Sequence, residues 1–274
     1  MPVDYRSQTV LLTGASSGIG AAFARALAVR GANLVLVARR ADRLASIADE
    51  LRRTADVRIE VVPTDLSSPA APTEIRRVVA DRGVEVTSLI NNAAIGSFAL
   101  FADVDPSQST AEVAVDVMAP VALTAAFMPQ LTGAGNGFII NLASVSAYFP
   151  SPRMAVYSAA KAFMLSFTES LWTELRGTGL TVFAVAPGAT GTDFTAGMGP
   201  DAAVLTAGKL RAAEDVVATA LRHLERRDPG PIVVDGGGNR LGVLVSRFVS
   251  RRRAALMMAR VFDPARRPPS RTPG

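Results

Sequence analysis

A chain of 274 residues, 49% hydrophobic and 19% charged, is long enough for one large α/β domain or two small ones and apolar enough to bury a continuous core. It has no cysteine and one histidine, His223, which excludes disulfide frameworks, thiolate nucleophiles, Cys- or His-built metal sites and an ordinary Ser-His-Asp triad. The net charge of +5 raises the question of a nucleic-acid partner, but residues 239–274 hold nine Arg against one acid, a net of +8, which leaves residues 1–238 at −3.

The start, MPVDYRSQ, puts Asp4 and Arg6 where a signal peptide would have its apolar run, and no 18-residue apolar stretch follows. The expectation is a cytoplasmic protein that does not span a membrane. Thr9–Thr13 is the first β-branched run, followed by a glycine-rich turn and a helix-period segment over 18–30. Strands at Asn33–Ala38, Arg58–Val62, Ser88–Asn91, Phe138–Leu142, Thr181–Ala186 and Ile232–Val234 alternate with helical segments near 40–54, 69–82, 107–131, 154–176 and 212–227. Such alternation predicts βαβ units in one doubly wound parallel sheet, buried on both faces as runs like LVLV and VFAVA require. Residues 188–211, rich in Gly, Ala and Thr, read as a mobile loop at the carboxyl edge of that sheet, where open α/β folds bind ligands.

Three groups of residues carry chemistry. TVLLTGASSGIGAAF places Gly14, Gly18 and Gly20 between a strand and a helix, where the bare backbone and the helix N-terminus can receive a pyrophosphate. The second strand ends in Ala38-Arg39-Arg40. An acid there would bind a ribose 2′-hydroxyl, whereas Arg39 can pair with a 2′-phosphate, so NADP(H) is favoured over NAD(H); the alternative is that both arginines merely cap the strand in solvent. Tyr157 and Lys161, four apart on a helix, share one face, and Ser144 ends the fifth strand. Lys161 near Tyr157 would lower the phenol pKa, and Ser144 would hold a carbonyl oxygen while Tyr157 delivers its proton.

Together these residues resemble the short-chain dehydrogenase/reductase family over about residues 8–235. TGASSGIG at 13–20, with Ser16, Ser17 and Ile19 beside the glycines, resembles its cofactor turn, and Asp65-Leu66 its adenine-contacting pair. NNAA at 91–94, with Asn92 and Ala93, is similar to its N-N-A-G signature, with Ala94 in place of glycine. Ser144, Tyr157 and Lys161 fall at its catalytic positions, and Pro187-Gly188 with Thr190 and Thr192 resembles the segment that contacts the nicotinamide carboxamide. The resemblance implies a single-domain Rossmann fold, α/β, with a seven-stranded sheet in the order 3-2-1-4-5-6-7, and a homodimer or homotetramer. It also places the family's catalytic Asn, which holds a relay water, at Asp116. An aspartate can accept from water but not donate, and its charge would bear on Lys161.

The predicted organisation is a catalytic domain over 1–238, a basic amphipathic segment over 239–262 and a disordered tail over 263–274. In the middle segment Leu241, Leu244, Val245, Phe248, Ala255, Leu256, Ala259 and Phe262 recur at helical spacing, with Arg247, Arg251 and Arg260 largely elsewhere. Two readings stay open: packing on the same protein or a sister subunit, and peripheral contact with an anionic membrane through 241–262. Phe194 and Met198 are candidate pocket walls, Trp172 a packing residue, and His223 a solvated surface residue. The function expected is NADP(H)-dependent interconversion of a ketone or aldehyde and an alcohol, the substrate lipid-like or ketoacyl, with no metal and no nucleic acid. The alternative is a nucleotide-binding relative with weak or no catalysis, acting at a membrane surface or in regulation.

Overall fold

The structure, a computed structural model, describes residues 3–196, 198, 200–206 and 210–263. Seven parallel strands make one sheet: β1 (Thr9–Thr13), β2 (Asn33–Ala38), β3 (Ile59–Pro63), β4 (Ser88–Asn91), β5 (Phe138–Leu142), β6 (Thr181–Ala186) and β7 (Ile232–Val234). Their order is β3-β2-β1-β4-β5-β6-β7. The chain winds outward from β1 to β3, returns to lay β4 against the other side of β1, and continues to β7. That reversal opens a crevice between β1 and β4 at the carboxyl ends of the strands.

Alternation along the strands divides the core between two faces. Leu12, one residue from Leu11, packs with Phe23 and Leu27 of α1 (Gly18–Val29), Leu44 of α2 (Ala41–Thr54) and Val216 of α8 (Ala213–Leu224). Leu11 points the other way, into Ile75 of α3 (Ala71–Asp81), Phe127 of α5 (Ala119–Ala134) and Leu171 of α6 (Ala155–Glu174). A buried polar ladder fixes the second layer to the sheet. Asn91 donates to Asn141 Oδ1 at 2.9 Å and to Thr124 Oγ1 at 3.2 Å, and Asn141 donates to Thr168 Oγ1 at 2.8 Å. These bonds tie β4 and β5 to α5 and α6, so the two long helices are set in position as well as in register.

The expected helix over 107–131 is longer and irregular. It starts as α4 (Pro106–Val113), widens through a π-helical turn at Ala114–Met118, and resumes as α5. In the wide turn the Ala119 N–H reaches back five residues to the Ala114 carbonyl. Pro120 supplies the reason: it has no N–H for the Asp116 carbonyl four residues earlier, and its ring would press on that oxygen in a regular turn. The stretch Pro106–Ala134 is apolar enough to cross a membrane by composition, with a mean hydropathy of 1.6, but Leu123, Phe127 and Leu131 are fully buried against the sheet.

Three sequence expectations are corrected. His223 is buried rather than solvated: its Nε2 lies 2.8 Å from the Gly230 carbonyl, and its ring meets Phe183 edge-on. The segment after β6, read from sequence as a loop, includes two short helical elements, α7 (Asp193–Ala196) and a 3-10 turn over Pro200–Thr206. The third strand begins at Ile59 rather than Arg58. Trp172 is a packing residue that also donates to the Pro229 carbonyl at 3.0 Å.

Beyond β7 the chain forms α9 (Gly237–Ser246) and α10 (Arg251–Val261). Val243, outside the apolar stripe expected from sequence, is the buried residue of α9, whereas Leu241, Leu244, Val245, Phe248 and Leu256 of that stripe are exposed. The expected tail lies, apart from Asp263, outside the described residues.

Candidate active site

The crevice at the β1/β4 switch is a cleft of about 720 Å³. All the cofactor-binding candidates line it except Gly20, which is buried in α1 beneath it. Gly14 has φ +66°, and a Cβ there would lie 2.7 Å from Asn92 Nδ2. At Gly20 a Cβ would stand 2.1 Å from the Gly14 carbonyl, so the helix start can lie against the turn only without side chains. Asn92 closes the turn from β4, donating to the Thr13 carbonyl at 2.9 Å and the Gly14 carbonyl at 3.3 Å. Ala94, where the family pattern has glycine, is not in the left-handed region, so the methyl costs no backbone strain.

At the adenine end, Arg39 and Arg40 are exposed at the cleft mouth. Arg40 donates to Ser17 Oγ at 3.1 Å and Ser16 Oγ at 3.3 Å, which brings its guanidinium over the phosphate turn. Asp65 is held by the Ser67 N–H at 3.0 Å, a bond that keeps its carboxyl below the ordinary carboxylate range, and Leu66 is buried beside it. From the opposite wall Thr192 leans over Gly18, its Cγ2 within 3.0 Å of where a Cβ would be, and Thr190 bonds back to the Gly188 carbonyl at 3.0 Å.

The inner end brings together Ser144, Tyr157 and Lys161. Ser144 lies two residues beyond β5 rather than at its last position, and its Oγ accepts from the Ser146 N–H at 3.1 Å. Tyr157 and Lys161 come from consecutive turns of α6, with Nζ 5.3 Å from the ring centroid. Lys161 donates to the Leu142 carbonyl at 3.2 Å and stands 3.2 Å from Asp116 Oδ2, both side chains almost wholly buried. Asp116 does not line the cleft; it sits behind Lys161 on the π-helical turn and accepts from the Ile95 N–H at 2.9 Å.

Lys161 acts on the Tyr157 phenol in the direction expected from sequence, lowering its pKa, but burial outweighs it. Burial raises the phenol above its ordinary value; Lys161 and the Ser144 hydroxyl oppose this, while the Asp116 carboxylate adds to it. Burial acts against the Lys161 charge too, but Asp116 and Tyr157 outweigh it and hold the ammonium above the usual lysine value. Burial also raises Asp116, against the pull of Lys161 and the Ile95 amide. The ion pair is therefore a neutral unit, not a free cation beside the phenol.

Sequence reasoning missed two contributors. Glu112, one helical turn before Asp116, is only 1% exposed, and no motif marked it. From the far end, Phe262 packs on Phe98, with centroids 6.1 Å apart, in an apolar cluster with Met154, Met198 and Ala202; of these Met154 and Phe262 line the cleft, as do Tyr157 and Phe194, whereas Met198, expected as a pocket wall, is buried in the cluster without lining it. Val261 and Phe262 thus make the C-terminal segment part of the site. Among the described residues no group of acids and histidine could hold a metal ion.

Comparison with known proteins gives a consistent set of likenesses. The family described as short chain dehydrogenase matches residues 8–203. Sulfoacetaldehyde reductase 2 of Chromohalobacter salexigens is 38% identical over 192 residues, which is 69% of this chain and 75% of that protein. A short-chain dehydrogenase from Sphingobium yanoikuyae, solved in complex with NADPH, superimposes with a TM-score of 0.78 at 32% identity, over 91% of this chain and 94% of that one. A 7beta-hydroxysteroid dehydrogenase structure gives a TM-score of 0.83 at 26% identity, over 94% of this chain and all of the other.

Proposed function

Because the chain belongs to the short-chain dehydrogenase/reductase family, oxidoreductases of alcohol and carbonyl groups, we propose that it interconverts a bulky apolar ketone or aldehyde and its alcohol with NADP(H), through Ser144, Tyr157 and Lys161. The observation that carries this reading is the meeting of those three side chains in one cleft whose other end has a bare glycine turn and two arginines. The residues fit the dinucleotide: Gly14, Gly18 and Gly20 leave the backbone free to approach a pyrophosphate, and Arg39 and Arg40 suit a 2′-phosphate. When bound, the nicotinamide supplies or accepts the hydride. Ser144 positions the carbonyl oxygen and Tyr157 gives it a proton. Lys161 and the Pro187–Thr192 segment hold the nicotinamide end, with Asp65, Leu66, Asn92 and Ala93 around the adenosine half.

The wall formed by Met154, Phe194, Val204, Leu205 and Phe262 favours an apolar, lipid-like substrate. NADPH consumption on a panel of ketones and aldehydes graded by size and polarity tests this, with Tyr157→Phe as control. Turnover of the larger apolar carbonyls and none by the variant is expected; binding of NADPH without turnover of any of them would overturn the proposal.

The surface outside the cleft bears on where such substrates are met. Phe248 is 85% exposed in the turn between α9 and α10, and Leu241, Leu244, Leu256 and Met257 are exposed around it. The six arginines at 240, 247, 251, 252, 253 and 260 have no acid among residues 237–262. An exposed apolar segment rich in arginine and free of acids suits an anionic bilayer, and α10 ends at the cleft, which Val261 and Phe262 line. Co-sedimentation with anionic but not neutral vesicles, lost in Phe248→Ser, supports that contact; equal recovery on both kinds refutes it. A separate exposed apolar strip, Met118 on the π-helical turn with Phe163 on α6, supports a homo-oligomer formed through the long helices, which light scattering measures directly.

A further inference from the structure

Glu112 is a carboxyl group that neither the family pattern nor the hydride chemistry calls for. It sits on α4, and only 1% of its surface reaches solvent. Its Oε1 is buried with no hydrogen-bond partner, and burial raises its pKa, with the hydroxyl and backbone N–H of nearby Ser97 pulling the other way. An ionised carboxylate in such a place leaves a charge uncompensated, whereas a neutral acid needs only a place for its hydrogen. One turn along the same helix is Asp116, whose carboxylate disfavours ionisation of Glu112. Asp116 is already paired with Lys161, and the loop on the other side offers only the Ile95 N–H and the Ser97 donors. Two carboxylates against one ammonium would leave a buried net negative charge, so the cluster is neutral only with one proton on the acids.

The acids also grip the substrate side of the site. Asp116 takes the amide of Ile95, and Glu112 that of Ser97, on either side of Gly96. A Cβ at Gly96 would meet Met198 Cε at 3.0 Å, Phe194 Cζ at 3.1 Å and Tyr157 Cδ2 at 3.2 Å, so Gly96 is the backbone that backs the reacting phenol.

We propose that Glu112 is the proton store of this centre, a positioning residue that is neutral at rest, shares one proton with Asp116, and returns it through Lys161 to Tyr157 after each reduction. The proposal rests on the carbonyl-reducing role given above to Tyr157 and Lys161. When the substrate oxygen has taken the Tyr157 proton, the phenolate recovers one from Lys161 Nζ. The resulting neutral amine takes a proton from the Asp116–Glu112 pair, which becomes two carboxylates flanking an ammonium. Water then returns one proton to the pair, and no electrons move in any of these steps. The relay that the family builds from an asparagine and a water is here built from two acids.

The test needs neither substrate nor cofactor for its first readout. Infrared difference spectra of the free protein at neutral pH should contain the carbonyl stretch of a buried protonated carboxylic acid, absent in Glu112→Gln. In Asp116→Asn that band should titrate at lower pH, because the neighbouring carboxylate that disfavours ionisation of Glu112 is gone. Glu112→Gln keeps the shape and an acceptor for Ser97, and circular dichroism checks that it folds. Its reduction rate should fall at least 10-fold with KM little changed and the solvent deuterium isotope effect enlarged, and Glu112→Asp should restore part of the rate. A wild-type spectrum without the band, or a band unmoved by both substitutions, overturns the proposal. If the band is present and behaves as stated but no carbonyl is turned over, it is the assigned reaction that fails, not the shared proton.

Discussion

Replacing Asp116 by asparagine should lower the pKa of Tyr157, and the size of the fall follows from two distances. Lys161 Nζ is 5.3 Å from the Tyr157 ring centroid and 3.2 Å from Asp116 Oδ2, so the carboxylate lies no farther than about 8.5 Å from the ring, the two separations laid end to end. With an effective dielectric near 20, a unit charge at that range disfavours the phenolate by about 2 kcal/mol, which a titration reads as a downward move of the midpoint when the charge is removed. The sign agrees with the contribution of Asp116 to the Tyr157 environment, where the carboxylate raises the phenol. Reduction needs the phenol and oxidation the phenolate. In the variant the alkaline limb of kcat/KM for reduction, and the rising limb for oxidation, should therefore both move to lower pH. Tyrosinate absorbance, taken as the difference between Asp116→Asn and Asp116→Asn/Tyr157→Phe, reads the same midpoint in the free protein. An unmoved midpoint would mean that the Asp116 charge does not reach the phenol. An upward shift would mean that Lys161 had lost its own proton with its partner, and either result refutes the reasoning.

Arg39→Asp/Arg40→Asp should cost roughly 10- to 100-fold in kcat/KM with NADPH and leave NADH unchanged or improved, as expected when charge-assisted contacts to one phosphate are removed; steady-state kinetics with both cofactors measures it. Phe262→Ala removes the C-terminal wall residue that packs on Phe98, and should lower kcat/KM for the bulkiest ketones roughly 10-fold while sparing small ones; equal losses on both would deny Phe262 a place in the pocket. Phe127→Ala, in the fully buried layer under α5, should destabilise the protein by about 3–5 kcal/mol in urea unfolding without changing KM in the fraction that stays folded.

The strands were legible because each is a short apolar or β-branched run with a helix-period segment after it, the sheet order only through the family resemblance, and the cofactor-side residues because glycine turns and strand ends follow local rules. Asp116 was visible as a departure from pattern, but its partner was not: that its carboxylate meets Lys161 depends on a widened turn imposed by Pro120, four residues downstream. Glu112 carried no signal at all, since a glutamate early in an amphipathic helix reads as solvated, and only the folded chain leaves it 1% exposed. His223 misled for a similar reason. Its charged neighbours along the chain, Arg222 and Glu225, suggest a surface, whereas helical rotation turns the imidazole inward to Phe183 and Gly230. The periodicity of the C-terminal stripe did not say which surface it would meet, because apolar residues there do not all go to the core: Val243 and Phe262 are buried, while Phe248 is offered to the outside.

The exchange of a neutral amide for a charged acid behind Lys161 has a direction built into it. An ammonium paired with a carboxylate at 3.2 Å exerts a weaker net field on its other neighbour than a lone ammonium, and the burial that strengthens this pairing also disfavours the phenolate. Tyr157 therefore keeps its proton through the neutral range and is suited to giving it away, which is the reductive direction; oxidation would begin only at more alkaline pH. A tyrosine that donates readily must also be reloaded, and a paired lysine is a poor source unless protons lie behind it. The buried acid one turn away meets that need. Asp116 and Glu112 make sense together for this reason: the first holds the proton on Tyr157 before the reaction, and the second keeps one ready for it afterwards. Substituting both should then cost less than the product of the single losses, because an asparagine at 116 restores the amide and water route that makes the store unnecessary.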